Sequence, residues 1–207
     1  MRAFIAIDLP QEVKNYLANL QTRLKTSGAD VKWVEPQNIH LTLKFLGEID
    51  EKTLHKIISI LEDIAIEKNS YPINLSSLGA FPKINCPRIL WVGINKGEKE
   101  TKEIAKKLEE TIEKIGIPAE PKPFSCHITI GRTRSMLNRD KLIENLKIQD
   151  NNLKKENLEF DVTKISLFKS TLTPKGPIYE VIKETELPKK PATKYYSGYN
   201  LENNIGI

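Results

Sequence analysis

The sequence predicts a mixed helix-and-strand chain built as two similar lobes with a groove between them. Two observations carry this. The stretch Ile39-His40-Leu41-Thr42-Leu43-Lys44-Phe45-Leu46-Gly47 is echoed by Cys126-His127-Ile128-Thr129-Ile130-Gly131-Arg132. Each alternates polar and apolar residues, as a strand with one buried face does. Each also follows a strand and a helix: Phe4 to His40 is 36 residues, and Leu90 to His127 is 37. Two β-α-β units of matched spacing predict pseudo-symmetric lobes, with the two histidine strands facing each other across the groove.

Taken in order, Phe4 to Ile7 reads as a buried strand. Pro10 suits the first turn of a helix whose buried stripe is Val13, Leu17, Leu20 and Leu24, and Ser27-Gly28 ends it. Val31 to Val34 is a short extended segment before the first histidine strand. A second helix after Asp50 buries Leu54, Ile57, Ile58, Leu61 and Ile64. Strands follow at Ile73 to Leu78 and Ile89 to Ile94, and Gly97 closes the latter. Thr101 to Ile115 is an amphipathic helix, and Pro118, Pro121 and Pro123 make a stiff approach to the second histidine strand. A helix over Asn138 to Leu146 precedes strands at Phe160 to Ser170 and Ile178 to Ile182, joined by the turn Pro174-Lys175-Gly176. Residues 1–187 are expected to form one bilobal domain. Residues 188–207 lack periodicity and read as a flexible tail, whose Tyr195, Tyr196 and Tyr199 offer surfaces for stacking on bases.

Composition sets outer bounds. Hydrophobic content of 39% and charged content of 29% are those of a globular protein, and 207 residues suffice for a sizeable core. A net charge of +5 leans towards polyanions such as RNA, though many lysine-rich proteins bind none. Cys86 and Cys126 are too few for a disulfide scaffold and lack metal-site spacing, so they read as reduced thiols of an intracellular protein. The apolar run near the N-terminus is too short for a signal peptide, and no segment approaches a membrane span. The expectation is a cytoplasmic, monomeric protein with no membrane association.

On a strand, His40, Thr42 and Lys44 share one face, and His127 and Thr129 share another. Imidazole titrates near neutrality, so one ring can give a proton while its partner takes one. Threonine hydroxyls can donate to the oxygens of a phosphate held between the rings, and Lys44 and Arg132 add positive charge for it. An acid, a base, hydroxyl donors and cations suit a phosphodiester, above all a strained cyclic one. No ligand cluster for a metal and no glycine-rich phosphate loop is visible, so neither a metal nor a nucleotide cofactor is expected. Cys126, next to His127 on the strand, points to the opposite face and reads as a structural thiol; His55 reads as a surface residue of the second helix. A pair of hydrogen-bonded structural histidines is the plain alternative, and the duplicated motif weighs against it.

The chain resembles the two-histidine phosphoesterase superfamily, and closely its RNA 2′,3′-cyclic phosphodiesterase branch, formerly called 2′-5′ RNA ligase. The matching stretches are MRAFIAIDLP, VKWVEPQNIHLTLKFLGEI, LGAFPKINCPRILWVGI, HITIGR and LFKSTLTPKGPIYE. They cover residues 1 to about 185. The resemblance implies a bilobal α+β fold, each lobe an antiparallel sheet with outer helices, and metal-independent opening of RNA 2′,3′-cyclic phosphates to 2′-phosphates. It implies His40 as proton donor, His127 as proton acceptor, and Thr42 and Thr129 as phosphate-holding groups. Arg132 matches a commonly basic position. The implied partners are RNAs with cyclic phosphate ends, tRNA fragments being one source. Run backwards with an RNA 5′-hydroxyl in place of water, the same site would join ends without ATP. A non-catalytic module that binds RNA ends is the alternative from a different class.

Overall fold

The computed structural model describes residues 1–174 and 176–189. Among them, four helices, α1 (Gln11–Lys25), α2 (Glu51–Ile66), α3 (Glu98–Glu113) and α4 (Arg139–Leu153), accompany nine strands. The strands are β1 (Arg2–Asp8), β2 (Val31–Trp33), β3 (His40–Glu48), β4 (Tyr71–Lys83), β5 (Cys86–Ile94), β6 (His127–Thr133), β7 (Leu158–Val162), β8 (Lys164–Thr173) and β9 (Gly176–Glu186). Helix ends follow the sequence. Pro10 stands at the start of α1, Asp50 caps α2 by accepting from the Thr53 amide at 2.7 Å, and Gly97 precedes α3 with φ 80°. That positive φ favours glycine, and a Cβ there would collide with the Pro72 carbonyl.

All pairings are antiparallel, in the order β7-β4-β5-β6-β3-β1-β8-β9, with β2 alongside β6. One half, β3-β1-β8-β9, carries His40, and the other, β7-β4-β5-β6, carries His127. The fold is the expected bilobal α+β arrangement. The two halves meet at the single pair Leu41–Ile128, so the histidine strands are neighbours in one curled sheet rather than facing each other as separate strands. The helices and one face of the sheet enclose a continuous apolar core that includes Leu17, Leu41, Ile57, Leu108, Ile128 and Leu146. Full burial of each such side chain contributes about 1.5–3 kcal/mol. The opposite face carries a small apolar cluster of Phe4, Ala6 and Phe168 against Tyr179.

Several boundaries differ from expectation, β4 running on to Lys83 and α3 starting at Glu98 among them. The strand read as Phe160 to Ser170 divides at Thr163, whose carbonyl accepts from the Leu187 amide at 2.7 Å; β7 and β8 then join opposite halves of the sheet. Helix α4 runs on to Leu153, which is fully buried. Pro188, expected to open a tail, still accepts a hydrogen bond from the Ser70 amide. The tail tyrosines lie outside the described residues.

Candidate active site

Two strands set the site, and both contain the same irregularity. Along β3 the register with β1 passes from Ala6–Thr42 to Ile5–Lys44, leaving Leu43 as an extra residue. Along β6 the register with β5 passes from Trp91–Thr129 to Leu90–Gly131, leaving Ile130 extra. Each is a β-bulge one residue after the His-x-Thr element. It reverses the side-chain parity beyond that point in both lobes.

The bulge corrects the placement of Lys44. Parity alone put it beside His40 and Thr42 as a substrate-binding cation. Instead it turns to the helix side with 2% exposure, its Nζ 2.9 Å from each carboxylate oxygen of Glu109 on α3 and 3.0 Å from the Pro118 carbonyl. Glu109 also accepts from the Glu120 amide. Lys44 thus ties β3 to α3 and to the proline-rich approach of β6, and does not reach the groove. By the same shift Phe45, not Lys44, is the counterpart of Arg132. Phe45 is exposed beside Phe4, with ring centroids 6.3 Å apart. Gly131 takes the place equivalent to Lys44, because a Cβ there would press on Val31 and Trp33.

His40, Thr42, His127, Thr129 and Arg132 occupy the face opposite Leu41 and Ile128, whose side chains are fully buried. The antiparallel register sets His40 across from Thr129 and Thr42 across from His127. Such diagonal residues as His40 and His127 are about 7–8 Å apart on a regular ladder, and more where strands part. A phosphoryl group hydrogen-bonded at about 2.8 Å on either side fills a gap of that size. Among the described residues neither threonine hydroxyl has a hydrogen-bond partner, and both side chains are half-buried, so two donors stand free in the groove.

The rings are held alike. His40 Nδ1 lies 2.8 Å from the Asn38 carbonyl, and His127 Nδ1 lies 2.7 Å from the Ser125 carbonyl. A carbonyl oxygen only accepts, so Nδ1 carries the hydrogen in each ring. Nε2 is left as the nitrogen that takes or gives a proton. Asn38 is itself anchored, its side-chain amide donating to the Pro177 carbonyl at 2.9 Å. Phe4 stacks on His40 at 4.8 Å and Tyr179 meets it edge-on at 5.4 Å. Phe81 meets His127 edge-on at 5.1 Å.

Their electrostatic surroundings differ. Burial pulls both rings below the ordinary histidine value. At His40 the bond to Asn38 and the carboxylate of Asp8, its cross-strand neighbour, oppose that pull, while Lys14, paired with Asp8 at 2.7 Å, adds to it. At His127 the bond to Ser125 opposes it and the Arg132 guanidinium adds to it. The position equivalent to Asp8 is Gly93, which supplies no charge. Arg132 therefore projects close enough to act on His127, and its field reaches Tyr179 as well.

Other residues sort out plainly. Burial, with Glu98 nearby, pushes the Cys126 thiol up to about 12, which removes its nucleophilic thiolate at neutral pH. His55 is exposed on α2, its Nδ1 2.8 Å from the Glu51 carbonyl. The aromatic surround of the histidines and the paired carbonyls of Asn38 and Ser125 were missed in the sequence. The one available signal was position, since Phe4 lies on the strand flanking the first histidine strand. No helix among the described residues is long and apolar enough to cross a membrane.

Comparison with known proteins matches this architecture. A family model described as LigT like Phosphoesterase matches twice, over residues 7–91 and 92–179, in keeping with the internal repeat. A Methanocaldococcus jannaschii protein named RNA 2′,3′-cyclic phosphodiesterase is 40% identical over 185 residues, covering 89% of this chain and 99% of that protein. An Aquifex aeolicus protein of the same name is 36% identical over 190 residues, covering 89% and 96%. Among solved structures, TT0787 of Thermus thermophilus superposes with a TM-score of 0.74 at 28% identity, covering 92% of this chain and all of that one. Escherichia coli LigT complexed with 3′-AMP superposes with a TM-score of 0.71 over 90% of this chain and 97% of that one; at 22% identity the likeness is one of fold. The duplicated histidine strands, their shared bulges and these matches lead to one conclusion: the chain belongs to the LigT-like phosphoesterase family.

Proposed function

We propose that the chain opens RNA 2′,3′-cyclic phosphate ends to 2′-phosphates by general acid–base catalysis, with His127 as base and His40 as acid. The observation that carries this is the pair of Nδ1-anchored imidazoles on one face, each across the register from a free threonine hydroxyl. His127 Nε2 takes a proton from water as its oxygen bonds to phosphorus. The bond from phosphorus to the 3′-oxygen breaks, and His40 Nε2 supplies the proton that makes it a hydroxyl. Thr42 and Thr129 donate to the two non-bridging oxygens, where charge builds. The carboxylate beside His40 and the cation near His127 favour this assignment of acid and base. The names of the 40% and 36% identical relatives support the substrate. With an RNA 5′-hydroxyl in place of water the same transfers yield a 2′-5′ linkage without ATP, and cleaved tRNA is one source of such ends.

The test is incubation of the full chain with a dinucleotide ending in a 2′,3′-cyclic phosphate, in EDTA. The expected product is the 2′-phosphate. Activity that appears only when a divalent ion is restored, or a 3′-phosphate product, contradicts the mechanism; tight binding without turnover makes the groove a binding module.

The threonines give a second expectation. Thr42→Val and Thr129→Val keep shape but remove one donor each, at about 1–3 kcal/mol of transition-state stabilisation. Both proteins should fold, since the lost hydroxyls face the groove. Wild-type kcat/KM in both variants would mean the phosphate is held elsewhere.

A further inference from the structure

We infer that Asp8 and Lys14 are positioning residues that make His40, and not its twin His127, the acid: their ion pair steadies the turn that orients the ring and helps it hold its proton. The inference rests on the acid–base reading above. Asp8 ends β1 directly across from His40 and on the same face, since its neighbours Ile7 and Leu9 are buried in the core. Lys14, in the first turn of α1, places its Nζ 2.7 Å from the Asp8 carboxylate and 3.4 Å from the Gln37 carbonyl. Gln37 adjoins Asn38, whose carbonyl accepts from His40 Nδ1 at 2.8 Å. The pair therefore reaches the ring twice, through its charges and through the turn Pro36–Asn38.

The second lobe lacks both groups. Gly93 stands across from His127 where Asp8 stands across from His40. The Lys14 amide donates to the Pro10 carbonyl and the Thr101 amide to that of Gly97, so the two residues hold the same place in α1 and α3. Thr101 is fully buried and uncharged, its hydroxyl 3.0 Å from that of Tyr71. The rings share strand position, threonine, bulge and Nδ1 anchor. Charge is what separates them, the Asp8–Lys14 pair beside one and Arg132 beside the other.

Stability alone does not account for the pair. The Lys14 side chain is 10% exposed and that of Asp8 31%, and an ion pair taken that far out of water is often replaced by apolar residues without loss. Its place beside the ring gives it a use. Burial pulls His40 down, the Asn38 bond and the Asp8 carboxylate work against that pull, and Lys14 works with it. The other ionisable groups around the ring are Tyr179 on β9, with His127 and Arg132 on β6; Lys164 on β8 is matched to Glu184 at 2.6 Å. An acid must keep its proton until the 3′-oxygen departs. Asp8 favours that state, while Lys14 fixes the carboxylate and limits its pull, so the ring can still release the proton.

Titration of each ring, followed by NMR of its Cε1–H signal, tests this apart from turnover. The chain has three histidines, and His55, exposed on α2, serves as an internal reference. Asp8→Asn, which keeps an oxygen for the Leu9 amide, should lower the His40 midpoint, and Lys14→Met should raise it. Neither should move His127, and Lys14→Arg should behave as wild type. On a cyclic-phosphate dinucleotide, kcat/KM along the alkaline limb should fall about threefold or more in Asp8→Asn and rise in Lys14→Met, with the acidic limb in place. Lys14→Met leaves a carboxylate with access to water, so it folds and decides the question even where Asp8→Asn does not. A His40 midpoint that stays put, or moves the same way in both variants, overturns the proposal, as does an equal movement of His127. Opposite shifts of His40 in a chain without turnover would uphold the pair's hold on the ring and sink the hydrolysis reading instead.

Discussion

Alanine at His40 or at His127 should lower kcat by about 10²–10⁴-fold, and alanine at both should cost far less than the product of the two losses. The rings serve one transition state, in which a proton is taken at one Nε2 as another is given at the other. Once either is lost, concerted transfer is gone and the second ring has little left to do. Folding should survive, because each ring gives up a single hydrogen bond to a backbone carbonyl, from His40 to Asn38 or from His127 to Ser125. His40→Ala also removes a ring packed against both Phe4 and Tyr179, so its melting temperature should fall more than that of His127→Ala. Steady-state kinetics on a cyclic-phosphate dinucleotide, with circular dichroism melts, checks both. Multiplicative losses would mean the rings act in separate steps.

Glu109→Ala should be the most destabilising of the substitutions considered, at about 3–5 kcal/mol. It strips the counter-charge from Lys44, whose side chain is 1% exposed, and leaves the ammonium with one carbonyl, that of Pro118. For a chain of this size the melting temperature falls by about 2–4 °C per kcal/mol. Replacing both members, Lys44→Met with Glu109→Met, removes the buried charge altogether and should recover much of the loss. At temperatures where the double variant is folded, its kcat/KM should stay within a few-fold of wild type. A stable double variant with activity lost would return Lys44 to the substrate.

That contrast shows what was legible in the sequence. The two His-x-Thr strands, their preceding helices and the repeat were visible because hydrophobic periodicity records burial directly. The face carrying His40, Thr42, His127 and Thr129 followed from simple alternation. Alternation failed at Lys44 because a bulge adds a residue to one strand without any fixed residue type to announce it. The matching bulge in β6 is why Arg132, an odd number of positions from Thr129, still reaches the groove. Strand order was also beyond reach, since nothing local in Leu41 or Ile128 says that they pair across 87 residues. The aromatic enclosure of His40 draws on β1, β8 and β9, segments that include opposite ends of the described chain. Cys126 was placed correctly by parity alone, because it precedes the bulge.

The pH dependence of kcat/KM in His40→Ala and His127→Ala tests the central claim most directly. Wild type should give a bell whose limbs belong to the coupled pair. Burial lowers both rings, so the maximum should lie on the acid side of where an exposed pair would put it. The profile of kcat should move to higher pH, because a bound phosphodiester anion favours the charged form of both rings. The donor must be protonated, so His40→Ala should lose the alkaline limb. The acceptor must be neutral, so His127→Ala should lose the acidic limb. The reverse pattern would exchange acid and base, and an unchanged bell in both variants would contradict a two-histidine mechanism.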